Sequence, residues 1–230
     1  MLFAIDKPIN RSSYDIIRCL KKHYPKKSKI GHSWTLDPLA TWMLIVWVGK
    51  SSTKLLYNIQ QCKKTYSVVL RFGQKSDTWD KKYWDHLITY PIISQKMRKW
   101  LMIAGKFHPA PRKIDIAYQI NQFIPQSSLL IPPFSAKKQQ WKKFYELARK
   151  SFVQTPYSQM QINDIAITYY NFPYIKLSCT VWSWTYIRSI GYTLWEHFAI
   201  GCIVRKLRRN AIWNISLDNL NLQTYGLPFS

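Results

Sequence analysis

Glycine is scarce in this chain: seven in 230 residues, about 3% where ~7% is usual. Acidic residues are scarce as well, with eleven Asp and Glu against 34 Lys and Arg and a formal charge of +23. A deficit of that size points to a polyanionic partner, because each phosphate neutralised by a cation releases a counterion. A basic proteome or association with the ribosome would leave the same composition, so charge names nucleic acid as partner and specifies no chemistry. The four cysteines, Cys19, Cys62, Cys179 and Cys202, form no CxxC pair and read as reduced, mostly buried thiols. The five histidines lack metal-ligand spacing, so no zinc site is expected. No run of about 18 uncharged apolar residues occurs, which argues against a membrane-spanning helix. Asp6 and Lys7 fall too early for a secretory signal, and a cytoplasmic protein is expected. With 47% hydrophobic residues, the chain has the means to build a core.

Along the chain, LFAI (2–5) reads as a short strand closed by Asp6-Lys7-Pro8. Ser12 or Ser13 can cap a helix over 14–23, where Ile16, Ile17 and Leu20 recur at helical spacing. TYSVVLRF (65–72) predicts a strand, rich as it is in β-branched and aromatic residues. SDTWDKKYWD (76–85) predicts a polar loop, and 93–104 a helix ending near Gly105. Five prolines between 106 and 133 predict a long irregular excursion, with 106–131 read as a surface insertion. QQWKKFYELARK (139–150) predicts a helix, IKLSCTV (175–181) a strand, and Tyr186 to Phe198 a helix. The basic cluster RKLRRN (205–210) follows, then a short strand near 211–216. Strands and helices mix without strict alternation, which gives an α+β (mixed α/β) class.

Six separated segments carry a family likeness. They are LFAIDKPINRSS (2–13), IGHSWTLDPLATW (30–42), KKTYSVVLRFGQKSDTWD (63–80), IPPFSAKKQQWKKFYELAR (131–149), SWTYIRSIGYTLWEHF (183–198) and LRRNAIWNISL (207–217). In that order they resemble the motifs of the bacterial tRNA pseudouridine-55 synthases, the TruB family, whose second signature reads GHTGTLDPLATG. The resemblance implies the pseudouridine synthase fold, with a central, largely antiparallel sheet, flanking helices and an RNA-binding cleft. It implies a catalytic domain over 1–220, with 221–230 a stub and the family's C-terminal RNA-binding domain absent. The implied reaction cuts the N-glycosidic bond of uridine 55 in the T arm of tRNA, turns the base and rejoins it through carbon, with no metal or organic cofactor. A monomer is expected.

The resemblance also assigns residues. Asp37 falls in the place of the catalytic aspartate, a carboxylate suited to attack the ribose or stabilise a cationic sugar. Arg188, in TYIR, matches the arginine that pairs with that aspartate and keeps it ionised. Tyr66 matches the aromatic that packs against the target base. His32 corresponds to a histidine that fills the space of the flipped nucleotide, and Thr35 lies in the same signature. Lys7 and Pro8 are placed in a loop near the active site, and Leu207, Arg208 and Arg209 in a segment expected to contact phosphate. Read without the family, TLDP is a turn, Tyr66 a strand tyrosine and Arg188 a surface arginine. Two other functions fit the residues: a noncatalytic RNA-binding or RNA-folding protein, and a synthase for another RNA.

The departures from the family form a pattern. Trp34, Trp42, Trp79, Trp141, Trp184, Trp195 and Trp213 stand where the motifs have glycine. Trp47 stands at a small-residue position, Trp84 and Trp182 in glycine-like loop places, and Trp100 has no counterpart. The seven glycines and eleven tryptophans together make up about 8% of the chain, near the usual glycine share of ~7%. We therefore expect that the source reads UGA as glycine and that these residues were written under a code in which UGA means tryptophan. GGA and UGA differ by one base, so such recoding strikes glycines. On this reading the high aromatic content is not a base-stacking platform.

Overall fold

A computed structural model describes residues 1–49, 62–81, 87–95, 98–139, 141–151, 153–213 and 215–216. The chain divides into two compact units, Met1–Thr65 with Arg209–Ser230, and Tyr66–Arg208. The expected Trp84 and part of the 76–85 loop lie outside the described residues. No helix among the described residues is long and apolar enough to cross a membrane.

The first unit opens with strand β1 (Leu2–Lys7), helix α1 (Ser13–Leu20), strand β2 (Ile30–Ser33) and strand β3 (Ala40–Val48). Both β1 and β2 pair antiparallel with β3; Lys7 lies opposite Trp42, and His32 opposite Val46. Helix α1 starts where the sequence predicts. Ser12 caps it, its hydroxyl accepting from Asp15 N–H at 3.1 Å while the Asp15 carboxylate accepts from Ser12 N–H at 2.8 Å. Such reciprocal caps satisfy donors that a helix start leaves without partners. Ile16, Ile17 and Leu20 face inward, and the helix ends at Leu20, three residues short of the expected end. Met43, Ile45 and Ile212 form a buried cluster, with Ala4, Trp34, Trp42, Trp47, Cys62 and Ile215 packed around it.

The second unit receives the chain through β4 (Lys64–Phe72), followed by a small pair, β5 (Gln74–Lys75) and β6 (Ile88–Thr89), and a three-stranded ribbon of β7 (Ile92–Gln95), β8 (Arg98–Ile103) and β9 (Lys106–Pro109). Then come α2 (Lys113–Asn121), β10 (Gln126–Leu130), the pair β11 (Lys138–Gln139) and β12 (Lys142–Lys143), and α3 (Phe144–Ala148). The long strands β13 (Tyr157–Asn171) and β14 (Tyr174–Val181), helix α4 (Ile187–Phe198) and strand β15 (Cys202–Ile212) as far as Arg208 complete it; from Arg209 on, β15 and its partner β16 (Ile215–Ser216) belong to the first unit. The sheet of this unit runs β15–β4–β14–β13–β10. Its β10–β13–β14 ladder is antiparallel, while the Asp80–Val204 bridge is parallel. Tyr66, Val68, Leu70 and Phe72 alternate inward along β4, the period of two that a half-buried strand requires. The result is the mixed α/β class expected from the sequence.

Three local expectations are corrected. The stretch 93–104 is not helical: it contributes β7 and β8, and Ala104 (φ 49°) and Gly105 (φ 77°) form the turn into β9. Two successive left-handed residues make the tight turn whose twist suits a hairpin, so Gly105 marks a turn between strands and not a helix end. The proline-rich 106–133 stretch is ordered as β9, α2 and β10. Its prolines sit at element boundaries, Pro109 ending β9 and Pro125 preceding β10, where a missing N–H costs no ladder bond. Within 139–150 only Phe144–Ala148 is helical, because a hairpin turning at Trp141 takes up the earlier residues. Strand β13, the longest element, carries no clean alternation of burial, which is why periodicity does not announce it.

Candidate active site

In the first unit, Asp37 stands half-buried on the loop between β2 and β3. That loop is tied to both neighbouring segments. The Ser13 hydroxyl accepts from Leu36 N–H at 2.9 Å, and Asn10 N–H donates to Pro38 O at 2.8 Å. Lys7, fully buried, donates to Pro8 O (2.9 Å), Arg11 O (2.6 Å) and Pro38 O (3.2 Å). Three carbonyls around one ammonium stitch the Asp6-Lys7-Pro8 turn to the Asp37 loop. Burial pushes the Lys7 ammonium down to about 8, against the pull of the Asp37 carboxylate, which raises it. Thr35 and Pro38 are exposed, Pro8 half-buried.

Further cations gather in this unit. Arg209 is buried and turned inward: its Nε donates to Met43 O at 2.9 Å, and its terminal nitrogens reach Trp34 O at 3.4 Å. Lys64 is buried and pushed down to about 8 by its surroundings, first by burial and then by the Arg209 charge. His32 is held below its usual value by the same two causes in the same order, and its Nδ1 is buried with no hydrogen-bond partner among the described residues. A neutral imidazole follows from burial next to a permanent cation. Lys64 Nζ stands 4.7 Å, and Arg209 Cζ 6.0 Å, from the centre of the Trp34 ring. The structure thus groups Lys7, His32, Asp37 and Arg209 in one unit, and adds Lys64, which residue-by-residue reasoning missed. Its signal was its place two residues before Tyr66 in the third motif.

The second unit holds Tyr66, Arg188, Leu207 and Arg208. Tyr66 and Leu207 are buried, and Arg208 is exposed. Arg188, one residue into α4, is also buried. It donates to Thr78 O at 2.9 Å and Phe134 O at 3.0 Å, and its Nε lies 3.8 Å from the Asp80 carboxylate. Asp80 in turn accepts from the Thr78 hydroxyl at 2.7 Å, and its carbonyl accepts from the Ser76 hydroxyl at 2.7 Å. Asp80, the last residue of the third motif, is a second residue that the sequence reading passed over. Removing it takes a carboxylate from beside a buried guanidinium and an acceptor from Thr78, which costs on the order of 3 kcal/mol. Asp80→Ala is accordingly expected to lower the unfolding free energy by about 3 kcal/mol, read by urea titration, with Asp80→Asn costing less because it still accepts from Thr78.

A sequence model described as TruB family pseudouridylate synthase, N-terminal domain, matches residues 21–187. The chain belongs to the TruB family. A protein named tRNA pseudouridine synthase B from Chlamydia abortus is 32% identical over 218 residues, 94% of this chain and 84% of that protein. One of the same name from Clostridium acetobutylicum is 29% identical over 229 residues, 96% and 72% of the two chains. Among solved structures, a Cbf5-Nop10-Gar1 complex contains a chain that matches with a TM-score of 0.60 at 17% identity over 91% of this chain. An H/ACA RNP bound to a substrate RNA containing 2′-deoxyuridine gives 0.57 at 15% identity over 92%. These two are likenesses of fold, and this chain spans about half the length of those solved chains, 48% and 47%.

Against the TruB motifs, the tryptophans have a common backbone property. Trp34 (φ 55°), Trp42 (83°), Trp79 (61°), Trp141 (68°), Trp184 (69°) and Trp213 (52°) all have left-handed backbones. Asn10 is left-handed too at 65°, but Asn tolerates that region better than other side-chain-bearing residues do. For the tryptophans each such conformation costs about 1–2 kcal/mol. Trp195 differs: it lies within α4, its ring 5.2 Å from that of Tyr192 and 4.9 Å from Lys75 Nζ.

Proposed function

We propose that this chain is a tRNA pseudouridine synthase of the cytoplasm that isomerises uridine 55 in the T arm of tRNA. The observation that carries the reading is the half-buried Asp37 on a loop pinned by Lys7, within a chain of the TruB family whose relatives bear the name tRNA pseudouridine synthase B. In the proposed reaction the target nucleotide leaves the stack, at a cost of a few kcal/mol (roughly) offset by contacts in the site. The C1′–N1 bond breaks with its electron pair left on uracil, and the Asp37 carboxylate attacks C1′ or balances the cationic sugar. The base turns, C5 bonds to C1′, the C5 proton passes to solvent and N1 takes up a proton, so the composition of the RNA is unchanged. Tyr66 packs on the base, Arg188 takes the place of the family's aspartate-pairing arginine, and His32 fills the space vacated by the flipped nucleotide. Pro8 and Thr35 border the substrate, Lys7 and Arg209, both buried, brace the backbone around Asp37, and Leu207 and Arg208 lie on the segment that binds it. Arg208, exposed, suits a phosphate contact.

Release of tritium from tRNA carrying 5-tritiated uridine tests the reaction. Mapping pseudouridine in total RNA with and without the gene tests the target. Loss at position 55 of the T arm upholds the proposal, and loss confined to another RNA replaces the substrate. tRNA binding without any tritium release would make the chain a noncatalytic RNA-binding protein.

A further inference from the structure

Nine non-glycine residues among those described have positive φ, and six of them are tryptophan, although tryptophan supplies only eleven of the 230 residues. The other three are Asn10, Ala104 and Ala199. Neither tyrosine, present fifteen times, nor phenylalanine, present ten times, contributes one described position. All three aromatic side chains meet the same steric barrier in the left-handed region, which arises at Cβ. An aromatic preference for these turns would therefore place Tyr and Phe there as well. What the six share is the letter in the sequence and not the chemistry of the side chain. Their behaviour is that of glycine, which is left-handed at Gly49, Gly73, Gly105 and Gly201, four of its six described positions.

Packing supplies no reason for indoles at half of these places. Trp141 is 92% exposed, Trp184 74% and Trp213 65%, so their rings bury little apolar area to offset the backbone they sit on. Trp141 occupies the turn of the β11–β12 hairpin, between Gln139 and Lys142, where a tight turn asks for a residue without Cβ. Trp34 intrudes among the buried cations Lys64 and Arg209 three residues before Asp37, and so takes volume beside the segment that carries the catalytic candidate.

We infer that residues 34, 42, 79, 141, 184 and 213 are glycine in the protein as its source makes it, their codons being UGA read as glycine. This rests on backbone geometry and not on the activity proposed above. The structure also limits the claim: Trp47, Trp100, Trp182 and Trp195 lie outside the left-handed region, and the backbone makes no demand for glycine there. Peptide mass spectrometry of the protein purified from its source decides the matter, read beside the gene. Peptides spanning the six positions are expected to be lighter than written by the difference between an indolylmethyl group and a hydrogen atom, with TGA at each codon. Peptides of the written mass, or TGG codons at these positions, overturn the inference. Neither readout depends on turnover or refolding, so an inactive enzyme leaves the test intact.

Discussion

Asp37→Asn, made in the glycine-containing protein, is expected to reduce pseudouridine formation by at least about a thousandfold, the upper end of what removing one stabilising group in a transition state costs. tRNA affinity and the thermal midpoint should stay near those of the parent. The separation is expected because the loop is also held on both sides of Asp37, at Leu36 and at Pro38. Lys7 holds the loop through Pro38 O, Ser13 through Leu36 and Asn10 through Pro38 O again. Asn preserves the shape of the side chain and removes the charge that would attack or balance the sugar. One further sign follows from the electrostatics. The Asp37 charge raises the Lys7 ammonium towards its ordinary value, against burial. Losing that charge moves Lys7 below about 8, so the variant should hold Lys7 neutral at a lower pH than the parent. Single-turnover tritium release and filter binding at matched salt read the two effects apart, salt being fixed because phosphate contacts scale with it. Turnover close to the parent's would remove Asp37 from the mechanism, and tRNA binding lost in parallel with turnover would make its role structural.

Glycine at the exposed positions 141, 184 and 213 is expected to stabilise the chain by a substantial fraction of the stability of a domain. Each left-handed tryptophan costs about 1–2 kcal/mol. Part of the gain is offset by the extra freedom glycine has in the unfolded chain, about 0.5–1 kcal/mol. The net is about 0.5–1 kcal/mol per position, or on the order of 2–3 kcal/mol over the three exposed positions, against ~5–15 kcal/mol for a typical domain. The single variants separate the causes. Trp141→Gly and Trp213→Gly remove exposed rings and should each raise the thermal midpoint by about 2–4 °C. Trp79→Gly should gain least, since it forfeits the stack on Tyr192 at 4.0 Å. Trp195→Gly should go the other way, because glycine within a helix costs about 1 kcal/mol and the contacts with Tyr192 and Lys75 are lost. Turnover should respond most at Trp34, whose replacement clears the space next to Lys64 and Arg209. Calorimetry of the single and combined variants gives the midpoints. A combined variant no more stable than the written chain would mean that these backbones are not strained.

Much of the molecule is legible from local pattern. The Ser12 cap and the Ile16, Ile17, Leu20 stripe announce α1, the β-branched run announces β4, and TYIRSIGYTLWEHF announces α4 within a residue of its observed start. Family membership is carried by short ordered motifs and so needs no coordinates. The spacing over 93–104 predicts a helix where the structure has strands, because apolar residues near Gly105 satisfy a helix and a strand equally, and only pairing with a neighbour chooses.

The sequence by itself determined the family, the mixed α/β class and the candidate aspartate, because each is written in contiguous residues whose spacing carries its own signal. Tertiary structure alone decided where the buried cations go. Arg188 finds its acceptor at Thr78, 110 residues away, with Asp80 beside it. Arg209 spends its guanidinium on the carbonyls of Met43 and Trp34 and faces inward from a cluster that reads as a basic surface. A buried charge must be satisfied by whichever carbonyls and carboxylates the fold brings within reach, and no local pattern names them. The same holds for the six tryptophans: composition hinted at missing glycine, but a residue's need for glycine is a backbone angle, and the turns that impose that angle exist only once the chain has folded.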